Sequence, residues 1–170
     1  MISKKSLASI NHSSLADVSY YIYDTDIGKI TIASNNEAII SVNFGITEEF
    51  GECRPTELIS RAAQQLNEYF AGKRRVFDVP IQAMGTPFQK LVWNALMTIP
   101  YGETRSYKQI AMMIGKPKAC RAVGMANNRN PIAIIIPCHR VIGSDGSLVG
   151  YGGGLDIKKQ LLSLEKRIMP

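Results

Sequence analysis

Residues 106–127 read SYKQIAMMIGKPKACRAVGMAN, and this stretch decides the architecture of the second half of the chain. Its first four residues form a capping box, in which Ser106 caps a helix and Gln109 returns a hydrogen bond. Gly115 is expected to end that helix, and Pro117 to begin another that runs to about Asn127. Two short helices joined by a glycine–lysine–proline turn predict a helix-turn-helix.

The segments on either side of the helix-turn-helix complete this half. Upstream, Thr86, Pro87 and Gln89 form a second capping box and predict another helix. Downstream, residues 132–136 are wholly aliphatic, and their length is that of a buried strand. A glycine-rich loop then leads to a last helix, whose N-cap is predicted at Asp156. The inward-facing residues of that helix are predicted to be Ile157, Leu161, Leu162 and Leu164.

The first half of the chain has the pattern of a small sheet packed on one helix. Three runs rich in Tyr, Ile and Val, separated by turn residues, predict an antiparallel meander. These runs are residues 18–23, 30–33 and 38–44. Apolar residues then recur at helical spacing from Leu58 to Phe70, and Gly72 is expected to stop this helix. Residues 76–81 are predicted to return as a strand or an extended segment.

Together these patterns predict an α+β protein with two subdomains. Residues 1–16 are polar and aperiodic, and we expect a mobile arm there. Residues 17–85 are expected to form a small α/β scaffold without a reactive constellation. Residues 86–170 are expected to form the subdomain that carries the helix-turn-helix and any chemistry.

Basic residues are concentrated in the second subdomain. The net charge of the chain is +6, but residues 1–85 hold 8 Lys and Arg against 10 Asp and Glu, whereas residues 86–170 hold 12 against 4. From Arg105 to Arg140 there are seven basic residues and no acidic one. A one-sided basic field attracts polyanions, and beside a helix-turn-helix this indicates DNA. A solvated basic face without a partner is the alternative.

The composition argues against several other classes of protein. No stretch approaches the roughly 20 apolar residues that span a bilayer, and no apolar segment follows Lys4 and Lys5 as it would in a secretion signal. The three cysteines, Cys53, Cys120 and Cys138, are too few for a disulfide framework and wrongly spaced for a zinc cluster. We therefore expect a cytoplasmic protein without membrane contact and without a metal or other cofactor.

Cys138 is the candidate reactive residue. It follows Pro137 and precedes the only histidine outside the N-terminal arm. A cysteine attacks as its thiolate, and a neighbouring histidine or arginine lowers the pKa of the thiol. His139 could therefore accept the thiol proton, and Arg140 could favour the negative charge. A lone cysteine is more often a small core residue, and local chemistry leaves that alternative open.

Chain geometry limits how these neighbours can cooperate. Adjacent residues of an extended chain point to opposite sides, so Cys138 and His139 need a bridging water or a bend after Pro137. The histidine also needs a carboxylate to orient it. The acids of this half are Glu103, Asp145, Asp156 and Glu165. We select Glu165, which lies on the predicted last helix.

Five sequence blocks carry a resemblance to a known family. In chain order they are IPYG at 99–102 with Ser106-Tyr107, KACRAVG at 118–124, Asn130-Pro131, PCHRV at 137–141 and GYGGGL at 150–155. Together they resemble the O6-alkylguanine-DNA alkyltransferases, also called methylated-DNA–protein-cysteine methyltransferases. The resemblance is close over about residues 86–165 and general over the first half. It implies a ribonuclease-H-like α/β subdomain before a catalytic subdomain with a winged-helix-like helix-turn-helix.

The resemblance also implies a DNA-repair reaction and the residues that perform it. In this family the cysteine thiolate, here Cys138, takes an alkyl group from O6 of guanine in one direct transfer and is spent in doing so. His139 would act through a bridging water, and Glu165 would hold that histidine. Asn130 would brace the active-site turn, and Tyr107 would serve the guanine leaving group. O4-alkylthymine is a second expected substrate.

The expected partner is double-stranded DNA with an alkylated guanine, bound by a monomer from the minor groove. Arg121 matches an arginine that enters the base stack in place of the extruded nucleotide. The other expected DNA contacts are Tyr107, Lys118, Ala122, Arg129 and Arg140. The expected pocket residues are Tyr151, Gly152, Gly153 and Ala133. Ala133 stands where some relatives have proline, which bears on the size of adduct accepted.

Two other functions compete with alkyl transfer. A module that only recognises alkylated DNA, or regulates transcription, would leave Cys138 unmodified. A cysteine hydrolase that uses Cys138 and His139 would turn over repeatedly on an ester or an amide.

Overall fold

The structure, a computed structural model, describes residues 17–47 and 51–167. The predicted mobile arm at residues 1–16 lies outside this part. The elements in chain order are β1 (Ser19–Thr25), β2 (Gly28–Ser34), β3 (Ile39–Phe44), β4 (Glu52–Cys53), α1 (Glu57–Phe70), α2 (Pro87–Met97), β5 (Arg105–Ser106), α3 (Tyr107–Met113), α4 (Cys120–Asn128), a 3-10 turn (Cys138–Arg140), β6 (Val141–Ile142) and α5 (Leu155–Arg167). The architecture is the α+β arrangement that the sequence predicts.

The first subdomain is a four-stranded sheet covered by α1. The strand order is β3-β2-β1-β4, and β1 to β3 form the predicted antiparallel meander. The two-residue strand β4 pairs in parallel with β1 and was not predicted. Ile30 and Ile32 of the sheet and Leu66 of α1 are buried together, so the alternating pattern of the strands and the helical pattern of α1 meet in one core.

The segment at residues 76–81 is extended rather than a continuous strand. It makes one isolated parallel bridge, between Ile39 and Ile81. Around that bridge, the Ile39 N–H donates to the Pro80 carbonyl at 2.9 Å and the Gln82 N–H donates to the Ile39 carbonyl at 2.9 Å. Of the two predicted conformations, the extended one is confirmed.

The starts of α2, α3 and α4 in the second subdomain follow the predicted caps, with one exception. Thr86 and Ser106 both form complete capping boxes, and Gly115 has a positive φ of 69° after α3. The exception is α4, which begins at Cys120 and not at Pro117. The Ala119 N–H donates to the Lys116 carbonyl at 2.9 Å, so the residues before α4 form a turn.

The prediction of a buried strand at residues 132–136 is wrong, because the segment folds into a tight turn. The Ile136 N–H donates to the Ile132 carbonyl at 3.0 Å, and Ile134 has a φ of 70°, a left-handed value that β-branched residues rarely adopt. Val42 of β3 holds this turn through the Pro131 carbonyl at 2.9 Å and the Ala133 N–H at 3.0 Å. The first subdomain is therefore bonded directly to the segment that precedes Cys138.

The inward face of α5 also differs from the prediction. The helix begins at Leu155, so Asp156 lies inside it and is not its N-cap. Its buried residues are Lys158, Leu161 and Glu165, whereas the other predicted core residues are only partly buried. Two charged side chains, seven positions apart, therefore point from α5 into the protein.

Candidate active site

Cys138 lies in the 3-10 turn that follows Pro137, and it is almost covered. The residue is 5% exposed, and its sulfur accepts a hydrogen bond from Asn130 Nδ2 at 3.1 Å. The turn supplies the bend after Pro137 that a cysteine and its neighbouring histidine need. The sulfur is therefore held within a built polar environment rather than among apolar side chains alone.

The environment of Cys138 acts on its ionisation in two directions. Burial raises the pKa of the thiol, because it penalises the charged thiolate. The hydrogen bond from Asn130 and the positive charge of Lys158 both lower the pKa. The predicted stabilisation by Arg140 is not found, since that guanidinium binds a carboxylate instead. Asn130, Tyr151 and Lys158 perform the stabilisation that was predicted for Arg140.

His139 and Glu165 form a fully buried pair. Nε2 of His139 lies 2.8 Å from Glu165 Oε1, and both side chains are inaccessible to solvent. An ionised carboxylate only accepts hydrogen bonds, so Nε2 carries the proton and Nδ1 carries the lone pair. Nδ1 is buried and has no hydrogen-bond partner among the described residues. The histidine is thus oriented as a base with its accepting nitrogen free.

The ionisation of this pair follows from its surroundings. Burial lowers the pKa of His139, and Glu165 opposes this effect. For Glu165, burial alone would raise the pKa, but bonds and charges from His139 and Arg140 lower it overall. A neutral histidine beside an ionised carboxylate is the resulting state near neutral pH.

Arg140 is a structural partner of Glu165 in this arrangement. Its Nε lies 3.0 Å from Oε2, its Nη2 lies 3.0 Å from Oε1, and its Nη1 donates to the Ile99 carbonyl at 2.7 Å. The residue is 7% exposed. The structure therefore corrects the expectation that Arg140 contacts DNA, because its guanidinium is already bound inside the protein.

Tyr69 and Gly102 complete the set of donors around Glu165, and the sequence did not indicate either. The Tyr69 hydroxyl donates to Oε1 at 2.7 Å, and the Gly102 N–H donates to Oε2 at 3.0 Å. Tyr69 lies on α1 and is fully buried, so the first subdomain reaches the site. The helical pattern of α1 marked Tyr69 as a core residue but gave no sign of what its hydroxyl contacts.

Asn130 braces the turn that leads to Cys138. Its Oδ1 accepts the Ile132 N–H at 3.0 Å, and its Nδ2 donates to the Ile136 carbonyl at 2.8 Å as well as to the sulfur. Asn127 adds a bond from its Nδ2 to the Cys138 carbonyl at 3.3 Å. These bonds hold the left-handed backbone at Ile134 and fix the position of the sulfur.

Lys158 is a buried cation beside the sulfur that sequence patterns missed. Its Nζ donates to the Val141 carbonyl at 2.6 Å and to the Val149 carbonyl at 3.1 Å. The same nitrogen lies 6.0 Å from the ring centroid of Tyr107 and 5.9 Å from that of Tyr151. One signal was available: a helix that turns Glu165 inward turns position 158 inward too.

The glycine-rich loop closes over the site from the other side. Tyr107 donates its hydroxyl to the Val149 carbonyl at 3.0 Å, and the buried Tyr151 hydroxyl acts on the Cys138 thiol, whose pKa it lowers. A side chain at Gly153 would place Cβ 2.5 Å from the Phe44 ring, so the backbone needs glycine there. Ala133 is buried below this region. The loop and Tyr107 together cover the sulfur.

The remaining residues predicted to bind DNA lie on or beside α4. Lys118, Arg121, Ala122 and Arg129 are all exposed. Trp93 of α2 anchors this helix from behind, because its Nε1 donates to the Ala126 carbonyl at 2.9 Å. The structure thus presents one exposed basic helix next to the covered cysteine.

The described residues give two further negative findings. None of their helices is long and apolar enough to cross a membrane. Within residues 17–47 and 51–167, no group of three or more His, Cys, Asp and Glu side chains is placed to hold a metal ion.

Two family descriptions match the chain over most of its length. Residues 18–83 match the ribonuclease-like domain of 6-O-methylguanine DNA methyltransferase, and residues 87–167 match the DNA-binding domain of the same proteins. By fold and by site, the chain falls in the class of proteins that join a ribonuclease-like sheet domain to a helical DNA-binding domain.

Individual relatives agree with these matches. A methylated-DNA–protein-cysteine methyltransferase of Methanosarcina acetivorans is 54% identical, over 86% of this chain and 97% of the relative. A crystal structure of Mycobacterium tuberculosis O6-methylguanine methyltransferase is 50% identical with a TM-score of 0.84, over 90% of this chain and 95% of that one. Mycobacterium tuberculosis OGT in complex with DNA is 49% identical with a TM-score of 0.84, over 89% and 95%. The chain belongs to the methylated-DNA–protein-cysteine methyltransferase family.

Proposed function

We propose that this protein repairs DNA by moving the alkyl group of an O6-alkylguanine onto the sulfur of Cys138. The observation that carries this proposal is the arrangement around that sulfur. Asn130 donates a hydrogen bond to the sulfur at 3.1 Å. His139, which follows Cys138 in the chain, has a free accepting nitrogen, Nδ1, and its Nε2 is held by Glu165. Such a site can deprotonate a thiol and stabilise the thiolate.

The transfer begins with the thiol proton. One water between Cys138 and His139 passes the proton to Nδ1, and Glu165 stabilises the imidazolium that forms. A buried nitrogen without a protein partner is an ordinary site for such a water. The thiolate then attacks the alkyl carbon, so that an S–C bond forms while the C–O6 bond breaks. The electron pair of the broken bond stays with the guanine.

Tyr107 serves the departing guanine. Its hydroxyl gives a proton to the purine. After the base leaves, the tyrosinate regains a proton from solvent and the imidazolium of His139 releases its proton to solvent, so the net change moves one proton from the thiol to guanine. In the present structure this hydroxyl is bonded to the Val149 carbonyl. The base can reach the sulfur only when that bond breaks and the glycine-rich loop moves outward. Tyr151, Gly152, Gly153 and Ala133 form the walls of the opened pocket.

DNA binding presents the target base to this pocket. The exposed helix α4 enters the minor groove, and Lys118 and Arg129 contact phosphates beside it. Arg121, in the first turn of the helix, fills the gap left by the extruded nucleotide. Unstacking a base costs roughly a few kcal/mol, and an always-charged side chain offsets part of this while it meets the backbone.

The alkylated protein cannot react a second time. The sulfur becomes a thioether, which offers no good leaving group, so each molecule repairs one lesion. The same chemistry applies to O4-alkylthymine, where an alkyl carbon is likewise bound to an exocyclic oxygen. We propose that the protein acts as a monomer in the cytoplasm, on double-stranded DNA.

Intact-mass analysis tests the chemical proposal. After reaction with a duplex that contains O6-methylguanine, we expect a gain of one methyl group per chain, located at Cys138 and absent in Cys138→Ser. The exposed cysteines Cys53 and Cys120 provide matched controls, since Cys53→Ser and Cys120→Ser should react fully. Binding without any mass gain would identify a recognition module, and repeated turnover on an ester would identify a hydrolase; either result contradicts the proposal.

Comparison of duplex and free base tests the role of the recognition helix. Arg121→Ala should slow transfer from the duplex by more than tenfold and leave transfer from free O6-methylguanine almost unchanged, because only the duplex needs base extrusion. Arg61→Ala, an exposed arginine on α1, is the control. Equal losses on both substrates would remove Arg121 from base extrusion.

A further inference from the structure

Tyr69 connects the first subdomain to the histidine–carboxylate pair. It lies on α1 and is fully buried, and its hydroxyl donates to Glu165 Oε1 at 2.7 Å. The same oxygen atom of Tyr69 lies 3.5 Å from Nε2 of His139. The sequence predicts α1 only as part of a scaffold, and the proposed alkyl transfer assigns no role to the Tyr69 hydroxyl.

We propose that Tyr69 is a positioning residue for alkyl transfer: its hydroxyl fixes Glu165 Oε1 against His139 and limits the negative charge that this oxygen presents to the imidazole. This inference rests on the proposed function, because it assigns Tyr69 to the same proton transfer. It makes the first subdomain part of the chemistry rather than only a support for it.

The geometry favours a directional role for the hydroxyl. Oε1 of Glu165 receives donors from Tyr69, His139 and Arg140, at 2.7, 2.8 and 3.0 Å for the closest atom of each. Three donors around one oxygen fix the plane of the carboxylate, and the bond from Tyr69 is the shortest of them. Without it, Arg140 and Gly102 still hold the carboxylate, but Oε1 loses its shortest donor and turns more of its negative charge toward His139.

The ring of Tyr69 is itself held in place. Its centroid lies 5.6 Å from those of Phe70 and Phe77 and 6.0 Å from that of Tyr101. A clamped ring presents its hydroxyl at one position, which is what a positioning residue requires. The same clamp means that removal of the hydroxyl alone leaves the packing of the ring unchanged.

The charges around His139 give the sign of a pH effect. Glu165 and Lys158 approach from α5, Arg140 and Cys138 are its chain neighbours, and Tyr69 approaches from α1. When the Tyr69 hydroxyl is removed, Oε1 keeps more negative charge for the imidazole. The histidine is then protonated at a higher pH, and a protonated histidine cannot accept the thiol proton. The acid limb of the rate profile should therefore move upward.

The test compares Tyr69→Phe with Tyr101→Phe. Tyr101 is a matched control, because its hydroxyl is buried next to the same ring and has no hydrogen-bond partner within the described residues. Methyl transfer from free O6-methylguanine to Cys138 is followed as a function of pH, and thermal unfolding monitors the fold. We expect Tyr69→Phe to be about three- to tenfold slower and its acid-limb midpoint to rise by about half to one pH unit. Tyr101→Phe should retain the wild-type profile.

A second comparison asks whether Tyr69 acts through Glu165. In a Glu165→Gln background the rate effect of Tyr69→Phe should disappear, since the charged acceptor is gone. A nitrogen NMR titration of His139 gives an independent readout, because the chain has only one other histidine, His12, which His12→Gln removes. The pKa of His139 should rise in Tyr69→Phe.

The outcomes separate this inference from the function on which it rests. If the wild-type protein does not methylate Cys138, the proposed function fails. If the wild type reacts while folded Tyr69→Phe matches Tyr101→Phe in rate and in acid-limb midpoint, the hydroxyl is merely a satisfied core group and the inference is overturned. An additive loss in the Glu165→Gln background would overturn the route through the carboxylate.

Discussion

Asn130 allows a sharp test of how the sulfur is tuned, because the two ends of its side chain do different things. Nδ2 donates to the Cys138 sulfur at 3.1 Å, and Oδ1 accepts the Ile132 N–H at 3.0 Å. Asn130→Asp keeps the acceptor and replaces the donor with a negative charge. Asn130→Ala removes both. If Asn130 controls the ionisation of the sulfur, Asn130→Asp should slow transfer more than Asn130→Ala does. If Asn130 only braces the turn, Asn130→Ala should be the slower variant.

The magnitudes follow from the 3.1 Å separation. At an effective dielectric constant of about 20, two negative charges at this distance repel by about 5 kcal/mol, or about four units of thiol pKa. Solvent around the half-buried Asn130 reduces this to about two units or more. Asn130→Ala loses a bond to a charged group, about 1.5–3 kcal/mol, which is about one to two units. A more basic thiolate is a better nucleophile, which offsets about half of each effect on the rate.

The assay is the rate of methyl transfer from free O6-methylguanine across about pH 5 to pH 10. Near neutral pH we expect Asn130→Ala to be about three- to tenfold slower than wild type and Asn130→Asp about ten- to hundredfold slower. The midpoint of the thiol ionisation should rise in the same order. Asn128→Asp, at an exposed position on α4, controls for a nearby charge. If Ala is slower than Asp, or if the midpoints do not move, the electrostatic account of Asn130 is refuted.

Three further perturbations test other parts of the site. Lys158→Met keeps the length of the buried side chain but removes its charge, so the thiol pKa should rise in a pH–rate profile; an unmoved midpoint contradicts this. Gly153→Ala forces a methyl group against the Phe44 ring and should lower the free energy of unfolding by about 1–3 kcal/mol in chemical denaturation. Gly152→Ala, which meets nothing closer than 3.8 Å, should cost less than about 0.5 kcal/mol. The folded-state pKa of Glu165, about 2, lies below its unfolded value. Its ionised form therefore stabilises the protein above about pH 5, and this stabilisation is lost as pH falls toward 2. Thermal unfolding of Glu165→Gln should show a weaker pH dependence than that of the wild type over this range.

The starts of α2 and α3 were predictable because their chemistry is local. The capping boxes at Thr86 and Ser106 join atoms within four residues of each other, and both form as the sequence indicated. The prediction of a helix start at Pro117 was wrong for a related reason. Proline is well suited to a first helical position, but the turn at residues 116–119 uses it before the helix begins.

The aliphatic run at residues 132–136 shows where pattern alone fails. Its side chains are as apolar as those of a buried strand, and Ile132, Ile134 and Ile136 are indeed buried. What turns the backbone is a set of polar contacts from Asn130 and from Val42, and the latter lies about 90 residues away in sequence. Hydrophobicity predicted the burial correctly and the conformation wrongly.

Two residues of the site lay beyond the reach of sequence reasoning for a different reason. The hydroxyl of Tyr69 and the ammonium of Lys158 both end on partners that only the tertiary fold brings close. By contrast, Cys138, His139 and Asn130 are close in the chain and share one turn. The contact of Tyr69 crosses between the subdomains and those of Lys158 lie within the second, so each depends on the tertiary fold.

The hydrogen bonds between Val42 and the 131–133 segment have a consequence for how the molecule is built. They cover the outer edge of β3, which would otherwise expose unpaired amides to other chains. The opposite edge is the two-residue strand β4, which ends in the ion pair of Glu52 and Arg54 at 2.9 Å. The second subdomain thus protects one edge of the sheet from pairing with other chains. We therefore expect the two subdomains to unfold in a single transition, and neither to remain folded without the other.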